Sequence, residues 1–259
     1  MTDVSPPRSI ARILGLFETI ARAPDGLPLA DLSVLLDAPK SSVLILLRSL
    51  VTSNHLMHIK GRYQLGPAIF KLASEVMANR KFPNLMRGFL EELVAKTGET
   101  AILTTLDRNA KQVTYVESID SPQPVRYMVQ VGATQPLYCC AAGRLLLAYQ
   151  DKIWRDDYCK TVKLQPVTAA TLTNRKALSR LLEEIRAMGI SVSIGEAIPG
   201  AACVAAPIYN ADGNVTAAFL IGGPADRIER EIHSIKLFVA SAAERASSVM
   251  GYLPPIMVL

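Results

Sequence analysis

The stretch LADLSVLLDAPKSSVLILLRSLVTSNHLMHIKGRYQLG, residues 29–66, decides the fold of the first part of the chain. Leu29, Leu32, Leu35 and Leu36 recur at helical spacing and predict a short helix over 29–36. Ala38-Pro39-Lys40 interrupts it as a tight turn. From about Ser41 a second helix is expected, with Leu44, Leu47, Leu50 and Val51 along its seam. Two short apolar runs, residues 56–60 and 61–66, then flank Lys60-Gly61 as the strands of a hairpin. Upstream, Ile10, Ile13, Leu14, Phe17 and Ile20 predict a further helix, capped by Ser9 and closed by Pro24-Asp25-Gly26.

Three short helices followed by a hairpin make a winged helix-turn-helix. In that arrangement the last of the three helices enters the major groove of DNA, and the hairpin reaches the backbone or minor groove beside it. Lys40, Ser41 and Ser42 stand at the front of the groove helix, where free amides and the partial positive charge of a helix start favour a phosphate. Ile45 and Arg48 continue its outer face, and Lys60 and Arg62 bring positive charge to the hairpin. These seven residues are the candidate DNA contacts. The charge distribution agrees: residues 1–81 hold 10 Lys+Arg against 6 Asp+Glu, whereas residues 82–259 hold 18 against 17. A basic module on a near-neutral body suits a polyanionic partner.

Beyond this module, residues 67–80 read as a helix with Ile69, Leu72, Ala73 and Val76 as its seam, ended by Phe82-Pro83. The remainder alternates. Helices are expected over 85–97, 141–149, 174–188 (capped by Thr173) and about 228–250. Strands are expected over 100–107, 111–119, 191–195, 202–209 and 215–221, with 125–131 extended. The pattern is α+β, a mixed and largely antiparallel sheet with helices packed on it. The expected domains are 1–66, winged helix-turn-helix; 67–81, linker helix; and 82–259, an α+β sensor-like domain.

The 259 residues are 50% apolar and 20% charged, which excludes global disorder. No apolar run approaches a membrane span, residues 1–7 do not read as a secretory signal, and four irregularly spaced cysteines make no disulfide framework. A cytoplasmic protein is expected.

Several segments, in order, resemble the IclR family of bacterial transcription regulators. Ala38-Pro39-Lys40-Ser41-Ser42 is similar to that family's entry to the recognition helix, and Gly61 to Gly66 to its wing. Pro136-Leu137-Tyr138-Cys139-Cys140-Ala141-Ala142-Gly143-Arg144 and Pro199-Gly200-Ala201-Ala202-Cys203-Val204-Ala205-Ala206-Pro207-Ile208 are similar to two segments of its sensor domain, and Gly222-Gly223-Pro224 to the end of the following strand. The resemblance implies a GAF-like effector domain, a homodimer or homotetramer, and control of genes for small-molecule catabolism through double-stranded promoter DNA. Two departures stand out. Where family members commonly carry an Arg shortly after the Ser pair, this chain has Val43-Leu44-Ile45, so base readout falls to Ser41, Ser42, Ile45 and Arg48 or to groove shape. Members that sense small polar acids carry an acidic residue and serines at positions occupied here by Ser193, Leu220 and Gly222, while Cys203 remains. A site stripped of a carboxylate and two hydroxyls suits a flatter, more apolar ligand. An aromatic acid is expected, its polar end on backbone amides near Cys140, Ala141 and Ala142 and its ring among Tyr127, Met128 and Tyr138.

Catalysis finds little support. A nucleophilic Cys needs a base nearby, and of the three histidines His55 and His58 fall in the winged module and His233 in the last helix. Cys139 and Cys140 are read as neighbours pointing apart on a strand, and His55 and His58 as facing opposite sides of theirs, so neither pair makes a metal or redox site. No cofactor, metal or membrane partner is expected. Two other functions share the pattern: a sensor working through protein contacts with a vestigial winged helix, and a cytosolic enzyme.

Overall fold

A computed structural model describes residues 8–79 and 82–253. The chain divides into two compact units, Met1–Lys81 and Phe82–Leu259.

The first unit begins with α1 (Arg8–Ala21), so Ser9 lies inside the helix rather than before it. The two-residue β1 (Leu27–Pro28) follows, then α2 (Leu29–Leu35), α3 (Lys40–Thr52), the hairpin β2 (Leu56–Ile59) and β3 (Arg62–Leu65), and α4 (Pro67–Asn79). Pro39, its φ fixed by its ring, is the residue before α3, which therefore starts at Lys40. Leu16, Ile20, Leu32, Val43, Leu47, Leu56 and Tyr63 form one buried core that seats α3 against α1 and α2. The sequence pattern misses β1 because two residues carry no periodicity; it exists by pairing with β3, Leu27 opposite Tyr63. Residues 80 and 81 of the expected linker lie outside the described residues.

In the second unit, α5 (Phe82–Thr97) starts at Phe82 with Pro83 in its first turn, where a missing N–H costs nothing. Then come β4 (Thr100–Asp107), β5 (Gln112–Ile119), β6 (Thr134–Pro136), α6 (Ala141–Ala148), α7 (Lys152–Thr161), α8 (Arg175–Met188), β7 (Ser191–Ile194), β8 (Ala201–Tyr209), β9 (Val215–Pro224), α9 (Ala225–Arg230) and α10 (Ile232–Val249). The six strands form one sheet in the order β6-β5-β4-β9-β8-β7, and every pairing is antiparallel. Alternation of side chains buries both faces. Ala101, Leu103, Ala202, Val204, Phe219 and Ile221 face a core shared with α5 and α10. Ile102, Tyr115, Cys203, Ala205 and Leu220 face the opposite core, shared with α6 and α8.

Four local readings change. The cap of α8 is Asn174, whose side chain accepts from Ala177 N, not Thr173. The final helix is two, α9 and α10, parted at Glu231. Residues 125–131 join no strand. Cys139 and Cys140 lie in a turn rather than a strand, and both thiols approach the Pro136 carbonyl, at 3.5 and 3.6 Å. They interact with each other, which holds Cys139 below and Cys140 well above the ordinary thiol range.

Candidate functional site

The outer face of α3 is the first candidate surface. Val43 and Leu47 turn inward. Ser41, Ser42, Ile45, Arg48 and also Ser49 are exposed on the opposite side, with Lys40 at the N-terminal edge. Ile45 is 68% exposed, an apolar side chain held out to water in the middle of a polar face. Lys60 sits at the tip of the hairpin with φ 47°, followed by Gly61 at 77°, the left-handed pair of a two-residue turn. Arg62 does something the sequence does not reveal: its Nη1 donates to the Gly26 carbonyl at 2.7 Å and ties the wing to the turn after α1. Both module histidines are engaged locally. His55 Nδ1 shares a 2.8 Å hydrogen bond with Ser53 Oγ, and His58 stacks on Tyr63 with ring centroids 4.3 Å apart.

The second candidate site is a cavity on the α6 side of the sheet. Its floor follows from strand register: Ser193 pairs with Cys203, Cys203 with Gly222, and Gly222 with Thr100, so these residues form a row across β7, β8, β9 and β4. Tyr115, Tyr127, Cys140, Ala141, Ser193, Ala197, Ile198, Ala201, Cys203 and Leu220 line it. No charged side chain is among them. The free space is about 10 Å³, room for about one water.

Six of the expected effector residues thus meet here: Tyr127, Cys140, Ala141, Ser193, Cys203 and Leu220. Gly222 lies directly beneath the Tyr127 ring; a Cβ on it would stand 2.7 Å from Tyr127 Cδ1. Ala142 is buried behind, in the first turn of α6. Two others point away. Met128 is 60% exposed, and the Tyr138 hydroxyl donates to the Gln165 carbonyl at 2.9 Å. The sequence reading missed Tyr115, Ala197, Ile198 and Ala201. The alternation Val113, Tyr115 along β5 was signal enough for the first; Ala197 and Ile198 belong to the β7–β8 connection, whose path no periodicity reports, and Ala201 opens β8 at its end.

That connection is held tightly. Arg144, 1% exposed, donates from Nη1 and Nη2 to Glu196 at 2.8 and 2.7 Å. Thr168 and Thr171 donate to the Gly195 and Glu196 carbonyls at 2.7 Å each. Gly143 lets α6 approach the preceding turn, since a Cβ there would stand 2.6 Å from the Leu137 backbone. Burial raises the Cys203 thiol to about 12 and raises the Tyr115 and Tyr127 hydroxyls as well, so at neutral pH the cavity is uncharged. Cys203 and Tyr115 have no histidine near them in the cavity lining to act as a base.

Among the described residues no cluster of three His, Cys, Asp or Glu side chains is placed to hold a metal, and no helix is long and apolar enough to cross a membrane. Comparison with known proteins gives two family matches. Residues 9–54 match the IclR helix-turn-helix domain, and residues 75–249 match the bacterial transcriptional regulator IclR C-terminal family. The HTH-type transcriptional regulator KdgR of Escherichia coli is 26% identical over 247 residues, covering 94% of this chain and 93% of that protein. The probable transcriptional regulator SauR of Cupriavidus necator is 28% identical over 219 residues, 84% and 86% of the two chains. The crystal structure of the Agobacterium tumefaciens repressor BlcR shares the fold, with a TM-score of 0.83 over 97% of this chain and 100% of that one at 23% identity.

Proposed function

The chain belongs to the IclR family of bacterial transcriptional regulators, and from that premise we propose that it controls a catabolic operon in response to an aromatic acid. Residues 1–66 bind promoter DNA, residues 67–81 are the linker, and residues 82–259 receive the effector. The observation that carries the ligand class is the lining of the cavity: two phenols, two thiols, a lone serine hydroxyl and aliphatic carbon, with no charged side chain. A two- or three-carbon keto acid is polar over most of its surface, which would lie there against hydrocarbon. An aromatic acid sets its ring on the apolar walls, and its carboxylate turns to the start of α6, where a helix leaves its first amides without intrahelical partners. Isothermal calorimetry of the full chain with benzoate-type acids and with pyruvate and glyoxylate decides it. Heat from the small keto acids alone overturns the aromatic reading.

On the DNA side, Lys40, Ser41, Ser42 and Arg48 engage backbone and base edges, and the exposed Ile45 contacts a thymine methyl. Lys60 approaches the backbone from the wing tip. Two copies are required to read a two-fold operator. The exposed apolar residues Ile10 and Leu14 of α1, and Phe70 and Leu72 of α4, supply the surface for pairing; the side chain of Val76 lies outside those described. An effector alters DNA affinity only by preferring one arrangement of the paired modules.

A further inference from the structure

Between residues 122 and 132 only Tyr127 is buried. Its neighbours Val125, Met128 and Val131 are exposed although apolar, while the side chain with a polar tip is driven inward. The segment has no helix or strand. Its ring lies flat over Gly222, in space that any side chain at position 222 would claim. Its hydroxyl reaches toward the Tyr115 hydroxyl and the Cys203 thiol.

The cavity that remains holds about one water, so no metabolite enters unless something leaves. The sheet floor is fixed by ladder bonds on both sides. The β7–β8 connection is clamped by Arg144, Thr168 and Thr171. The backbone around Tyr127 is pinned too, because Thr100 Oγ1 donates to its carbonyl at 2.6 Å and Arg227 Nη2 donates to the Val125 carbonyl at 2.9 Å. What is left to move is the Tyr127 side chain, whose departure by rotation about χ1 breaks no backbone bond.

We propose that the Tyr127 ring is a resident occupant of the effector site, and that a phenol-type or benzoate-type effector replaces it ring for ring on Gly222, taking over its polar contacts with Tyr115 and Cys203. This rests on the cavity being the effector site. It adds a selection rule: the ligand carries one six-membered ring with a polar group near the position of the Tyr127 hydroxyl. It also sets a cost, since displacing the resident ring lowers the apparent affinity by the fraction of time the ring is out.

The test is titration of the full chain with p-cresol, which is the tyrosine side chain itself. Wild type is compared with Tyr127→Ala, the milder Tyr127→Val, and Tyr127→Ala/Gly222→Leu, in which the vacated space is refilled. Binding at least about tenfold tighter in the truncations than in wild type, lost in the refilled double variant, is expected. A truncation that folds only when p-cresol is present also supports the proposal. Equal or weaker binding in the truncations overturns it, as does recovery of neither truncation with p-cresol, or full binding in the refilled variant. The two readings fail separately. Gain in the truncations with a small keto acid as the wild-type effector leaves the resident ring and removes the aromatic effector. An aromatic acid that binds wild type, with no gain in the truncations, does the reverse.

Discussion

Arg62 illustrates how a residue read as a DNA contact acquires a second task. Its bond to Gly26 fixes the wing, whereas Lys40 at the edge of α3 makes no such tie among the described residues. Lys40→Ala is therefore expected to weaken promoter binding and to reduce the slope of log affinity against log salt by about one, leaving the melting temperature unchanged. Arg62→Ala is expected to weaken binding and also to remove about 1 kcal/mol of stability, seen as an earlier thermal transition. Cys203 gives a prediction of opposite kind. Its thiol is raised to about 12 by burial, against about 8.5 in an unfolded chain. The neutral form is the one the fold stabilises, so this contribution is whole below about pH 8.5 and is lost as pH rises toward 12. Urea midpoints measured across that range should fall more steeply for wild type than for Cys203→Ala; parallel curves would show that Cys203 does not titrate as a buried thiol.

At the scale of elements, the start of α6 and the β7–β8 connection work as one part. Arg144 on α6 and Glu196 on the connection are joined by two hydrogen bonds. Removing one partner strands a charge with little solvent, and Arg144→Met is expected to cost about 3 kcal/mol in chemical denaturation. Adding Glu196→Gln should restore most of it, because the stranded charge goes too; a double variant no better than the single would break the pairing argument. Gly143→Ala places a methyl against backbone that cannot swing aside, and a loss of about 2 to 3 kcal/mol is expected by the same measurement. Sequence pattern located most elements, because α2, α3 and α8 bury one face each and the long strands β8 and β9 are near-continuous apolar runs buried on both faces. It missed α7, whose buried residues are Arg155, Tyr158 and Cys159 rather than an aliphatic stripe, and β1 and β6, which are two and three residues long and exist only through β3 and β5. It ran α9 and α10 together because the apolar period continues across Glu231 without a Gly or Pro to mark the break.

At the scale of the molecule, the basic excess sits with the winged module and the uncharged cavity with the sensor, so the two activities should separate. Lys40→Ala should leave effector calorimetry untouched. The proposed pairing through Phe70 and Leu72, which are 61% and 55% exposed, should make stability depend on protein concentration. Sedimentation of Phe70→Asp/Leu72→Asp is expected to show a smaller species than wild type, with promoter binding weakened because only one half-site is engaged at a time. An unchanged sedimentation coefficient would move the interface elsewhere.

The sequence by itself determined the family, the winged helix-turn-helix, the order of nearly all elements and the exposed face of α3. Each of these follows from periodicity and short motifs within a few dozen residues. Only the tertiary structure decided which residues meet. Arg62 and Gly26 are 36 positions apart, Arg144 and Glu196 are 52, and Tyr127 reaches Gly222 across three strands' worth of intervening chain. Local spacing carries no information about such distances, because they are set by how the sheet and helices pack. That is why Met128 and Tyr138, one and two positions from the cavity residues Tyr127 and Cys140, face elsewhere, while Tyr115 and the β7–β8 connection complete the wall.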